Sequence, residues 1–239
     1  MHRAYYCWES SALGRPMELL VFGHAGAPVI VFPTSRGRFY EYEDRGMVAA
    51  LAHHLEQGWL QLICVDSIDA ESWYCEWAHP HGRLQRHDQY ERYIIDEVLP
   101  FVHWHNPNPF LMTHGCSFGA CHAMLFGLRY PTIFRRVIGF AGYYDMRRFL
   151  GDYHDETVFY HNPVEFVDHL QPGQLLDDLR RLEIIMAIGN DDSAAWTNQQ
   201  LSDALWRKNI WHAMRWWDGW AHDWPYWRQM ISTYIGGAD

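Results

Sequence analysis

A serine hydroxyl attacks an acyl carbon only when a neighbouring base takes its proton and a third group holds that base in place. Residues of those three types occur here at the right kind of position. Gly115-Cys116-Ser117-Phe118-Gly119 is a G-x-S-x-G, the pattern of a strand turning sharply into a helix with a serine at the apex. Its two glycines lack the Cβ that would collide where strand and helix cross, so the serine backbone can take the strained turn. Further on, Gly189-Asn190-Asp191-Asp192 closes one apolar run and Gly219-Trp220-Ala221-His222 follows another. Serine, then acid, then histidine is the chain order of one class of serine hydrolase.

This order assigns Ser117 as nucleophile, His222 as general base and Asp192 as the acid that orients the base. Asp191 is a close rival for the acid and Asp145 a third candidate, and an aspartate ahead of a helix is equally expected as an N-cap. The negative oxygen of a tetrahedral intermediate needs donors. The backbone N–H of Phe118 is one; the second is expected on the loop after Val29–Phe32, with Ser35 first choice and Thr34 second. Trp220 and Trp224, beside His222, are candidates for a pocket wall, as is Trp73. The competing expectation for the tryptophans at 211–227 is core packing.

Other chemistries find less support. His53-His54, His79-Pro80-His81 and His103-Trp104-His105 show neither H-E-x-x-H nor Cys/His zinc spacing, so no metal is expected. His114 and His122, either side of the serine, read as packing or supporting groups. Cys116 lies off the apex of the turn.

The elements that must carry these groups alternate in type. Residues 4–10 and 16–22 read as a hairpin around Gly14-Arg15-Pro16. Runs at 29–32, 60–65, 110–113, 136–141, 184–188 and 211–217 read as strands, the most apolar of them buried on both faces. Helical spacing appears at 41–56, 86–102, 194–208 and from after Trp227 to about Tyr234, besides the helix that follows Ser117. Residues 67–84 are irregular. From 142 to 178 the period is lost, and this stretch reads as an insertion over the sheet, too short and polar for its own core. Strands alternating with helices predict an α/β fold, a mostly parallel sheet covered on both faces, in a single domain.

Composition narrows the partners. The net charge is −10 with no dense basic block, which disfavours nucleic acid. Five cysteines without a C-x-x-C suggest reduced thiols and a cytoplasmic protein. No stretch approaches the length of a membrane span. A homo-oligomer is compatible with the sequence.

Several segments carry a resemblance. Val-Ile-Val-Phe-Pro-Thr-Ser at 29–35, Gly-Cys-Ser-Phe-Gly-Ala at 115–120, Phe-Ala-Gly-Tyr-Tyr-Asp at 140–145, Ile-Gly-Asn-Asp-Asp at 188–192 and Trp-Asp-Gly-Trp-Ala-His-Asp-Trp-Pro at 217–225 resemble the α/β-hydrolase superfamily. Within it the chain is similar to the putative esterases that include esterase D-like enzymes. The resemblance implies an α/β-hydrolase fold and hydrolysis of small carboxylic esters through an acyl-enzyme, by a Ser117–His222–Asp192 triad with no metal and no organic cofactor. One departure is plain: many relatives carry His-Gly ahead of the oxyanion loop, where this chain has Pro33-Thr34. A thioesterase with the same triad, and a non-catalytic binding protein on the same fold, are the competing readings.

Overall fold

The computed structural model describes residues 1–237 of the chain. Its strands are β1 (Arg3–Ser10), β2 (Arg15–Phe22), β3 (Ala27–Phe32), β4 (Leu60–Val65), β5 (Leu111–Cys116), β6 (Phe134–Phe140), β7 (Glu183–Gly189) and β8 (Ala213–Trp217). They form one sheet in the order β1-β2-β4-β3-β5-β6-β7-β8. β2 runs antiparallel to both its neighbours, and every pairing from β4 to β8 is parallel. The hairpin between β1 and β2 turns at Gly14, whose φ of +64° suits a residue without a Cβ.

Parallel strands need crossovers that put helices on both faces, so their side chains are buried in both directions. The central strands follow this rule. Leu19, Val21, Ile30, Phe32, Ile63 and Val65 enter one core, while their neighbours Leu20, Phe22, Val29, Val31, Leu62 and Cys64 enter another. A continuous apolar run thus splits by the two-residue period of a strand into two cores, one on each face.

The helices depart from the sequence expectations in instructive ways. Residues 41–56 form three short helices, Glu41–Asp44, Met47–Ala50 and Ala52–Glu56, broken first at Gly46, left-handed at φ +76°, and again at Leu51, at φ −103° and ψ 9°. The helix expected from 86 begins at Pro80, where proline fits the first turn, and the His79 ring accepts from the His81 N–H. It continues to His105 through a widened π-helical stretch at Tyr93–Val98, just ahead of Pro100, whose ring would crowd a regular α-turn.

The stretch 142–178 is not without structure. It folds into helices at Arg147–Leu150, Glu156–His161, Pro163–Asp168 and Gln174–Leu179, each too short to print a helical period. Phe166, Val167, Leu176 and Leu179 join the core on one face of the sheet. Met146, Leu150 and Val158 instead pack with Trp73, Leu84, Phe118 and Cys121 in a smaller core behind the serine turn. Among the described residues, no helix is long and apolar enough to cross a membrane.

Candidate active site

Ser117 stands between β5 and the helix Phe118–Arg129 with φ 54° and ψ −121°, a conformation that L-residues seldom hold. Its own N–H is tied to Phe140 O at 2.8 Å. The flanking glycines are required by space: a Cβ on Gly115 would lie 2.2 Å from the backbone of Gly119, and one on Gly119 would lie 2.4 Å from Phe32 O. The serine is therefore clamped by the strand before it, the helix after it and the end of β3.

The acid and the histidine reach it from the ends of β7 and β8. Gly189 lets those two loops meet, since a Cβ there would lie 2.2 Å from Trp220 O. Asn190 N–H donates to Trp217 O at 2.8 Å and Asp191 N–H to Gly219 O at 3.0 Å, joining the loops backbone to backbone. His222 Nδ1 lies 2.6 Å from Asp192 Oδ2, and His222 Nε2 lies 3.0 Å from Ser117 Oγ. A carboxylate can only accept, so the ring proton sits on Nδ1 and Nε2 is left to accept from the serine. Asp192 is buried, and its other oxygen accepts from Ala194 N–H at 2.8 Å; it does not cap the next helix, which begins at Ala195 with no side-chain cap.

The rival acids go elsewhere. Asp191 faces solvent. Asp145 is buried against the Arg147 guanidinium and receives Asn162 Nδ2–H at 3.3 Å.

The loop after β3 sorts its own donors. Thr34 N–H donates to Glu41 Oε2 at 2.9 Å, Arg36 N–H to Asp69 Oδ2 at 3.2 Å and Gly37 N–H to Thr34 O at 2.8 Å. Thr34 is thereby spent. Among the described residues no acceptor takes the N–H of Ser35 or of Phe118.

Asp69 was not legible from the sequence. Its Oδ1 accepts from His122 Nε2 at 2.9 Å, with both side chains buried, so it fastens the loop after β3 to the helix after Ser117. His114 is fully buried below the turn, with Nδ1 2.9 Å from Ile138 O. Burial pushes its imidazole down to about 4, so it is neutral near pH 7.

Ser117 and His222 open onto a cleft of about 250 Å³ walled by Tyr74, Tyr143, Phe149 and Arg148. Tyr74, Arg148 and Phe149 lie outside every sequence motif, and Tyr143 lies in the 140–145 segment without a chemical signal of its own. The tryptophan expectations need correction. Trp73 is buried behind the wall, edge-on to Phe118, and its neighbour Tyr74 faces the cleft instead, its hydroxyl 2.7 Å from Ser35 Oγ. Trp224 packs against Trp227 in the core on one face of the sheet, away from the cleft. Trp220 is exposed and stacks on the His222 ring at 5.7 Å. Core packing describes half of the tryptophan cluster: Trp227 is buried with Trp217 and Trp224 packed against the same core, while Trp211 and Trp216 are exposed like Trp220.

Elsewhere, Asp88, Glu91 and His161 place ligand atoms within 4.8 Å of one another. The Arg129 guanidinium bonds both Glu91 and His161, so a fixed cation already stands against that cluster.

Solved structures with the same architecture include a ferulic acid esterase, at 17% identity over 97% of this chain and 95% of that one, with a TM-score of 0.79. A substrate-bound, fluorophosphonate-binding serine hydrolase of Staphylococcus aureus matches at 17% identity over 97% and 95%, TM-score 0.74. An S-formylglutathione hydrolase from the same organism matches at 17% over 97% of each chain, TM-score 0.71. At this identity they establish the fold, which is that of the α/β-hydrolases. No curated protein matches the chain in sequence. The family model described as "Putative esterase" matches residues 10–236. With nearly the whole chain matched, the protein belongs to the putative esterase family and is a carboxylic ester hydrolase.

Proposed function

We propose that the protein hydrolyses small carboxylic esters through an acyl-enzyme on Ser117, with His222 as base and acid and Asp192 as its orienting partner. The observation that carries this reading is the unbroken run from Asp192 through His222 to Ser117 Oγ, with contacts of 2.6 and 3.0 Å, ending at an open cleft.

Ser117 Oγ attacks the ester carbonyl while its proton passes to His222 Nε2. The negative charge on the carbonyl oxygen is met by the uncommitted N–H groups of Ser35 and Phe118. As the intermediate collapses, His222 returns the proton to the departing alcohol, leaving the acyl group on Ser117. Water then attacks the acyl carbon as His222 takes its proton, and on collapse His222 returns that proton to Ser117 Oγ as the acid leaves. Asp192 stays ionised throughout and steadies the imidazolium. The cleft volume suits short acyl groups, and the ring-lined wall suits compact apolar ones. Unpaired cysteines, four of the five buried, fit a reducing cytoplasm.

The test is hydrolysis of short-chain 4-nitrophenyl esters together with labelling by a fluorophosphonate. Wild type should turn over the esters and label once, and Ser117→Ala should lose the label and on the order of 10⁶-fold in rate. Equal slow hydrolysis by wild type and His222→Ala would sink the mechanism. Absence of labelling in wild type would favour a binding protein, and a preference for matched thioesters would favour a thioesterase.

A further inference from the structure

The cleft holds a cation that the reaction does not call for. Arg148 lies on its wall, opening to the same space as Ser117 and His222. Most arginines in this acidic chain are spoken for. The adjacent Arg147 grips Asp145, and Arg38, Arg86, Arg129, Arg136 and Arg207 each hold a carboxylate. Arg148 has no carboxylate within ion-pair distance among the described residues, and none of the residues lining the cleft is acidic. With 29 acidic against 19 basic residues in the chain, an acid-free pocket around an arginine runs against the composition.

What holds Arg148 is aromatic. Its guanidinium lies 4.3 Å from the centre of the Tyr143 ring and 5.4 Å from that of Phe149. Rings support a guanidinium through its face and leave its in-plane N–H donors free, the geometry that accepts a carboxylate in two parallel hydrogen bonds. Across the cleft, Arg36 lies over the Tyr74 ring at 4.8 Å, with the exposed Glu76 at the 4.0 Å limit of an ion pair. Arg36 is thus offset by an acid, whereas Arg148 is, among the described residues, the one fixed charge lining the cleft, and an ester bearing a negative charge gains a bidentate anchor there.

We infer that Arg148 selects esters that carry a carboxylate, so that the substrate class is anionic monoesters rather than neutral ones. This rests on the Ser117 reading above. The recognition chemistry is the same whether the carboxylate belongs to the acyl or to the alcohol part, and paired substrates separate the two. In the acyl arm, 4-nitrophenyl hemiadipate is compared with 4-nitrophenyl hexanoate, of equal chain length. In the alcohol arm, 3-acetoxybenzoate is compared with 3-acetoxybenzamide.

The readout is the ratio of kcat/KM, charged over neutral, in each pair. In wild type at low salt one pair should give a ratio above unity that falls as salt is raised. Arg148→Gln should lower that ratio tenfold or more, chiefly through KM, Arg148→Lys should keep part of it, and Arg148→Glu should turn it below unity. Arg148 is exposed, and a thermal midpoint for each variant checks that it is folded. If wild type hydrolyses these esters and neither ratio responds to Arg148→Gln or Arg148→Glu, the assignment of Arg148 is wrong while the esterase reading stands. If wild type hydrolyses none of them and Ser117 resists the fluorophosphonate, both fall together.

Discussion

The two halves of the cleft are built in different ways. Ser117, Asp192 and His222 sit just past the ends of β5, β7 and β8, and their places are set by main chain against main chain. Five non-glycine residues among those described have positive φ, and four of them, Arg36, Ser117, Ala141 and Ala221, lie on loops at this edge of the sheet. Such strain persists where the surrounding backbone leaves no alternative. The facing wall is held by side chains. Tyr74 meets Phe118 at 5.0 Å and Phe149 at 5.3 Å, and Tyr143 meets Phe149 at 6.4 Å, edge to face. A ring in the wall can be exchanged without moving a strand. An atom of the Asp192–His222–Ser117 row cannot shift without moving main chain. Chemistry is therefore conservative in this architecture, and selectivity is open to change.

The sharpest way to test that division is within the acids. Asp192→Asn keeps shape but removes the charge that selects the Nδ1–H tautomer of His222, and kcat should fall on the order of 10⁴-fold. Asp191→Asn, one residue away and in solvent, should change ester hydrolysis less than about twofold, as expected for a surface polar group. Steady-state kinetics on a 4-nitrophenyl ester reads both. Comparable losses in the two would mean that the row is not the functional unit.

A second break acts through the backbone alone. Gly189 touches no substrate, yet its missing Cβ is where the loops after β7 and β8 close on each other. Gly189→Ala must push Trp220 O away and shift the Asp192 and His222 loops apart. A displacement near 1 Å in such a row costs roughly 100-fold, so kcat should drop by about that factor. A wall substitution such as Tyr143→Phe, which retains the ring, should fall well short of it. If Gly189→Ala retained full kcat, the claim that main-chain contact fixes the row would fail.

This contrast also explains what the sequence disclosed. G-x-S-x-G, the apolar strands and the acids and histidine at strand ends were legible because they obey local rules: a glycine where a Cβ cannot fit, an apolar run where both faces are covered, a polar residue where a strand stops. Asp192 over Asp191 was a matter of which side chain turns inward, which the loop geometry decides. The wall was illegible for the opposite reason. Arg148 and Phe149 lie on a helix of only four residues, too short for periodicity, Tyr143 lies on the irregular stretch just before it, and Tyr74 stands beside the larger Trp73. Trp73 drew attention by size, but size sent it into the small core behind Phe118. Asp69 had no signal, since its partners lie 33 and 53 positions away.

Asp69 joins the two kinds of construction, and the smallest of the expected effects tests it. One carboxylate oxygen accepts from Arg36 N–H and the other from His122 on the helix that begins behind Ser117. Arg36, at φ +56°, follows directly on Ser35, so the buried acid sets how the Ser35 N–H is presented to an oxyanion. An amide cannot accept at both ends. Asp69→Asn must give up one contact, unless His122 moves its proton to Nδ1, a position that has no partner now. Losing an oxyanion donor outright costs about 10²–10³-fold; a donor that is only loosened should cost a tenth of the lower figure, about tenfold. The loss should fall on kcat and leave KM nearly unmoved, because the ground-state ester makes little use of the donor. His122→Gln, which still offers a hydrogen bond to Asp69, should recover most of the rate relative to His122→Ala. Were Asp69→Asn to raise KM at constant kcat instead, the residue would belong with the wall that binds substrate, and the loop after β3 would owe its shape to Glu41 and the strand end alone.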